Sequence, residues 1–190
     1  MALTIYTAGE VLTAESLNDN LAYAVTVPAA TPGALTLVSA TTVGTTVGSV
    51  TVSGAFSSTY DNYKITYTGG ATSDPNPDTF MTLGSANTNY YSVRSGYRYT
   101  AAALNFVDAN NGVKWLVCGG ASNQIAMNID VLAPNLAANT YFNGTFNASS
   151  GIAVTAGRQD SSTQFTAFTI TPGTGTLTGG TIRVYGYSNS

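Results

Sequence analysis

An all-β chain, an antiparallel β-sandwich of jelly-roll type with a short helical anchor at its N-terminus, is predicted by three observations. Apolar and polar residues alternate with a period of two through most of the 190 residues. Turn-forming residues recur between these runs, as at Asn110-Asn111-Gly112 and Pro172-Gly173. Helical spacing occurs in one place, near the start.

That helical segment covers residues 14–24. Thr13 suits the N-cap, Glu15 lies in the first turn where the helix dipole favours a carboxylate, and Leu17, Leu21 and Val25 recur every fourth residue. A helix this short with one narrow apolar stripe is marginal by itself and needs a surface to dock on. Residues 1–27 therefore read as an anchor segment, with Leu12, Leu17, Leu21 and Val25 as its contact residues. The run Val27-Pro28-Ala29-Ala30-Thr31-Pro32-Gly33 then stops the helix, because the residue before each proline is pushed to extended backbone. Residues 28–33 form a connector and residues 34–190 a single β head.

Strands are expected at 34–39, 46–53, 62–68, 79–84, 89–100, 113–118, 123–132, 140–147, 152–155, 164–171 and 181–187. In the third of these Tyr63, Ile65 and Tyr67 share a face, and in the seventh Ile125, Met127, Ile129 and Val131 do, with Asn128 and Asp130 opposite. Those apolar faces should be core. Trp115, Val113 and Val117 follow the same alternation. The phrase Val43-Gly44-Thr45-Thr46-Val47-Gly48 repeats once and stops, which argues for a local irregular strand and against a repeating shaft.

Composition narrows the function classes. Charged residues make up 8% of the chain, against roughly 25% in ordinary soluble proteins, while 44% hydrophobic residues with twelve Tyr and seven Phe supply a core. A net charge of −3 with six scattered Lys and Arg offers no basic face, so nucleic acid is not an expected partner. No basic stretch leads into a long apolar run near the start, so neither a secretory leader nor membrane insertion is expected, and synthesis in a cytoplasm is. Cys118, the single cysteine, stands between Val117 and Gly119 and reads as a small buried hydrophobe.

Catalytic signatures are missing. With no histidine and one cysteine, Ser-His-Asp, Cys-His and His-ligated zinc arrangements and thiolate metal clusters are excluded. Carboxylate chemistry needs two acids facing across a cleft, and the pair that shares one predicted element is Glu10 and Glu15 in the anchor. Gly119-Gly120 and Gly179-Gly180 lack the lysine and the strand-to-helix setting of a phosphate loop. We expect no enzyme, no cofactor and no metal. The stretch Asp74-Pro75-Asn76-Pro77-Asp78 starts like a calcium loop but has Thr79 where the glycine belongs and Ser85 in place of the bidentate Glu, so it reads as a rigid exposed connector with Asp74, Asn76 and Asp78 as candidate contacts.

Aromatics carry the remaining binding chemistry. On the strand at 89–100, Tyr91, Val93, Tyr97 and Tyr99 fall on one face and Tyr90, Arg94 and Arg98 on the other. Two readings stay open: the first face is sandwich core and the arginines are solvated, or exposed tyrosines beside arginine stack on sugars or build a subunit interface. Tyr90, Arg94 and Arg98 are the candidate contacts here, joined by Tyr185 and Tyr187, which flank Gly186.

The opening Gly9-Glu10-Val11-Leu12-Thr13-Ala14, followed two residues later by Leu17-Asn18, resembles the N-terminal segment of many tailed-bacteriophage virion proteins, among them tail fibres and other attachment appendages. Tyr60-Asp61-Asn62-Tyr63-Lys64-Ile65, Phe165-Thr166-Ala167-Phe168-Thr169-Ile170 and Gly179-Gly180-Thr181-Ile182-Arg183-Val184-Tyr185-Gly186-Tyr187 resemble strands of small β domains that end such proteins. The resemblance implies a structural role in a virion, commonly as a homotrimer, with the N-terminal segment held by other virion proteins and the head free to meet a host-surface glycan or protein. A capsid decoration protein or head fibre without receptor recognition is the alternative, and a free-standing carbohydrate-binding module is a further one.

Overall fold

The computed structural model describes residues 34–74, 77–99, 104–119, 124–148 and 151–189. The anchor segment, its helix, the connector and the contact residues Leu12, Leu17, Leu21 and Val25 lie outside the described residues, as do Pro75 and Asn76. Among the described residues the chain is all-β, with antiparallel pairing and no helix.

Fourteen strands are formed there: β1 (Leu35–Thr42), β2 (Val50–Val52), β3 (Asn62–Thr68), β4 (Ala71–Thr72), β5 (Asp78–Leu83), β6 (Tyr90–Arg98), β7 (Leu104–Gly112), β8 (Trp115–Gly119), β9 (Ala126–Leu132), β10 (Thr140–Ala148), β11 (Gly151–Gln159), β12 (Phe168–Pro172), β13 (Leu177–Thr178) and β14 (Thr181–Tyr187). An eight-stranded sheet runs β1-β14-β3-β9-β10-β11-β6-β7, and a four-stranded sheet runs β2-β12-β5-β8. β13 and β4 make a small third sheet, extended by a bridge from Val47 to Leu177.

Alternation explains the centre of the large sheet. Across β3 and β9, Tyr63 stands opposite Val131, Ile65 opposite Ile129 and Tyr67 opposite Met127, all buried as the period of two requires. β14 adds Ile182 and Val184 beside them on the same face. The four-stranded sheet supplies Met81, Leu83, Phe168 and Ile170 to the same core. Aromatic rings join the sheets: Trp115 of β8 lies 4.6 Å from Phe142 of β10, and Phe56 lies 4.9 Å from Tyr63 and 5.7 Å from Phe168. Their polar ends are satisfied, since the Trp115 indole donates to the Arg158 carbonyl at 2.9 Å and the Tyr67 hydroxyl to the Gly179 carbonyl at 3.0 Å.

Small residues permit the close approaches. A side chain at Gly157 would come within 2.2 Å of the Tyr91 carbonyl and 2.6 Å of the Phe142 ring, so glycine is what lets β11 lie between β6 and β10 at this point. Cys118 is buried as expected, and burial raises its thiol pKa far above the usual range.

Several expectations need correction. Tyr90 faces inward with 0% exposure, so the face that carries Tyr91, Val93 and Tyr97 is the outer one and not sandwich core. The expected turn at Asn110-Asn111-Gly112 is the end of β7, a strand whose polar residues hid its pairing with β6. Val113 is 58% exposed in the connection that follows, while Trp115 and Val117 are buried. The strand expected at 152–155 extends from Gly151 to Gln159 because β10 and β6 both pair along its whole length.

Candidate functional site

The outer face of the eight-stranded sheet is built in rows that cross the strands. Tyr141, Arg158 and Tyr91 form one row across β10, β11 and β6. Asn143, Ala156 and Val93 form the next, continued by Asp108 of β7; Thr145, Val154 and Ser95 follow, then Asn147, Ile152 and Tyr97. Along β11 this makes a column of Ile152, Val154 and Ala156 capped by Arg158. Half of the Val93, Tyr97, Tyr141, Ile152 and Val154 surfaces stays open to water, from 47% to 56%. Large apolar side chains normally leave water on folding, and a contiguous group of five is therefore a feature to explain.

A shallow, open groove of about 470 Å³ runs through the first two rows, where Tyr91, Val93, Ala109, Tyr141, Ala156 and Arg158 line it together with Ser92, Asn110 and Gly157. The Arg158 guanidinium sits 4.8 Å from the centre of the Tyr91 ring and reaches Asp160 at 3.5 Å. These contacts place the guanidinium beside the Tyr91 ring, with Arg158 itself part of the groove lining. The groove is open and its surface mainly apolar, so it offers contact area more than an enclosing shape for a small hydrophilic ligand.

The middle of the same face is polar. Lys64 of β3 stands opposite Asp130 of β9, with Nζ 2.9 Å from the carboxylate and 3.2 Å from Oδ1 of Asn128, to both of which it donates. The Tyr187 hydroxyl donates to the same Asp130 carboxylate at 2.5 Å. Partial burial disfavours the Lys64 charge, but the hydrogen bond and charge of Asp130 outweigh it and raise the ammonium pKa. Burial, and then Asp130, raise the Tyr187 pKa as well. The cluster keeps Asp130 engaged twice over and ties β14, β3 and β9 together. Tyr185 and Tyr187 stand opposite Leu37 and Leu35 of the edge strand β1, both of which are exposed.

The remaining residues singled out by sequence are dispersed. Tyr90 is a core residue whose hydroxyl accepts from the Leu83 amide at 2.8 Å and donates to the Ala86 carbonyl. Arg94 points to the four-stranded sheet, where its guanidinium pairs with the Asp78 carboxylate. That pairing brings two candidates together, but as a link between sheets. Arg98 is exposed, and Asp74 is half-buried at a turn held by the Thr72 hydroxyl donating to its carbonyl at 2.8 Å. Among the described residues no group of three or more His, Cys, Asp or Glu gathers as a metal site would require.

Tyr141, Ile152 and Val154 were not singled out by sequence reasoning. A usable signal was present in β11, where Thr155, Gly157 and Gln159 occupy one parity and Ile152, Val154 and Ala156 the other. The polar and small parity is the buried one because Thr155 donates to the Leu116 carbonyl and Gly157 clears Phe142. No protein-family model, curated protein or solved structure matches this chain.

Proposed function

We propose that this protein is a structural component of a bacteriophage virion, an appendage of tail-fibre type assembled from copies of itself. Its N-terminal segment would be held by other virion proteins, and its β head, read as a jelly-roll-type sandwich, would meet a host-surface glycan or protein. The observation that carries this reading is the open aromatic and aliphatic face on the eight-stranded sheet in a chain with 8% charged residues. Such a face serves contact between large surfaces. The resemblance of residues 9–18 to virion N-termini and the single core cluster to which both sheets contribute support it further. Its place of action is the virion, after synthesis in the host cytoplasm.

A capsid decoration protein is the second reading. The apolar lining of the groove favours it, since sugar recognition needs more converging hydrogen-bonding groups than Tyr91, Arg158 and their neighbours supply.

Labelling purified particles with an antibody to this chain, and measuring adsorption with and without that antibody, tests both. The appendage reading expects label on the tail and blocked adsorption. Label on the capsid with normal adsorption, and DNA leaking at lower temperature when the protein is missing, replaces it with decoration. A protein that never sediments with particles overturns both.

A further inference from the structure

We propose that the outer face of β10, β11 and β6 is the surface on which a second copy of this chain packs, with Val93, Ile152 and Val154 at the centre of the contact and Tyr91, Tyr97 and Tyr141 around them. This deepens the homo-oligomeric part of the reading above and does not depend on the particle.

Area is the first reason. Val93, Tyr97, Tyr141, Ile152 and Val154 are each about half exposed, and together leave on the order of 500 Å² open, near the top of the ~300–600 Å² that a monomer's largest apolar patch covers. Two such patches meeting bury about 1,000 Å² in total, the size at which specific interfaces begin. The composition is the second reason. An aliphatic centre edged by tyrosines matches the dry middle of a protein interface, and the polar side chains beside it, Asn143, Thr145 and Ser95, are neutral and need only short-range partners.

Charge is the third. Charges of both signs border the patch: Arg158 at the end of the β11 column, itself 3.5 Å from Asp160, Asp108 on β7 beside Val93, and the Lys64 and Asp130 pair next to Asn143. Tyr91 and Val93 lie between Arg158 and Asp108. A border that mixes both signs does not repel its own copy as a border of one sign would, and a second copy can meet these charges with opposite ones. A host glycan, recognised through hydrogen bonds to its hydroxyls, gains little from the aliphatic column.

Sedimentation equilibrium of the full chain at micromolar concentration is the test. The expected mass is at least twice the single chain's 19.5 kDa, and Ile152→Asp with Val154→Asp should weaken association roughly 100-fold or more by placing charges in the apolar contact. Emission from Trp115, which is buried in the core, reports that the variant still folds. A second measurement does not depend on tolerance of the aspartates. In Val154→Cys the new thiol should resist a maleimide reagent at concentrations where the chain associates and react on dilution, while Thr51→Cys, at the exposed position of β2, should react at both. Cys118 is buried and contributes no background. A monomer of 19.5 kDa at all concentrations overturns the proposal. An oligomer that persists in the double aspartate variant, together with a Val154→Cys thiol that reacts at every concentration, also overturns this face as the contact while leaving the virion reading in place.

Discussion

Tyr90 and Tyr91 are neighbours in the chain that work on opposite faces of one sheet. The Tyr90 ring meets Trp115 edge-on at 5.4 Å in the core, whereas Tyr91 faces outward beneath the Arg158 guanidinium. The pleat alone separates them. Tyr90 closes the connection after β5 through its two hydrogen bonds, and Tyr91 forms one wall of the outer groove.

Tyr90→Phe should therefore cost about 1–3 kcal/mol, because it leaves the buried Leu83 amide without the oxygen it donates to. Tyr91→Phe should stay within about 0.5 kcal/mol, since its hydroxyl is not needed to keep the ring beside Arg158. Urea unfolding of both variants followed by tryptophan emission checks the contrast; equal losses would mean that Tyr90 is not tied to Leu83 in solution.

Phe142→Ala should be among the most damaging single changes, at about 3–5 kcal/mol. It opens a cavity beneath Trp115, whose ring is 4.6 Å away, and removes the surface that Gly157 leaves room for. Trp115 is the single tryptophan, so its emission should shift to longer wavelength in the folded variant. An unshifted spectrum with near wild-type stability would place Trp115 elsewhere.

Legibility of the sequence followed the strength of its alternation. β3 and β9 show apolar and polar residues in strict turn, so their buried faces were readable before any coordinates. β6 and β7 did not yield. Both parities of β6 carry tyrosine, and which is core depends on β8 and β5 lying over one side, a long-range fact that no local pattern contains. The polar end of β7 reads as turn because its pairing is supplied by β6 and not by its own residues. The open column on β11 was missed for the same reason: Val154 and Ile152 look like core until Thr155 and Gly157 are seen to face it.

Arg94 and Asp78 link β6 to β5 and so join the two sheets. Arg94→Ala should cost about 1–2 kcal/mol, discounted from a buried pair because Asp78 keeps 36% of its side chain exposed. The double variant with Asp78→Ala should lose less than the sum of the two single losses, since the second change removes a charge already stranded. Strict additivity in a double-mutant cycle would show that the pair contributes no coupling.

Alkaline pH should unfold this protein, while pH changes near neutrality should not. With no histidine, no side chain has an ordinary pKa between about pH 6 and 8. Higher up, burial raises the Tyr67 pKa to about 12 from its usual 10.0, with the nearby Cys118 adding to the shift. Burial raises Tyr90 as well, and burial followed by Asp130 raises Tyr187. For each phenol the folded chain holds its proton more tightly than the unfolded chain. The unfolded state therefore binds fewer protons above pH 10, and stability falls as pH rises. Lys64 acts in the same direction, since its raised pKa means that the folded contribution fades as the ammonium deprotonates. For Tyr67 alone, whose side chain is fully buried, the loss between pH 10 and 12 is about 2–3 kcal/mol. Tyr67→Phe lowers stability at neutral pH by removing the hydrogen bond to Gly179, yet its stability should decline less steeply above pH 10 because no phenol is left there to ionise. Urea midpoints from pH 6 to pH 12 for the wild type and this variant give both slopes. Parallel curves above pH 10 would mean that Tyr67 reaches solvent in the folded protein, and a pronounced change between pH 6 and 8 would point to a perturbed carboxylate.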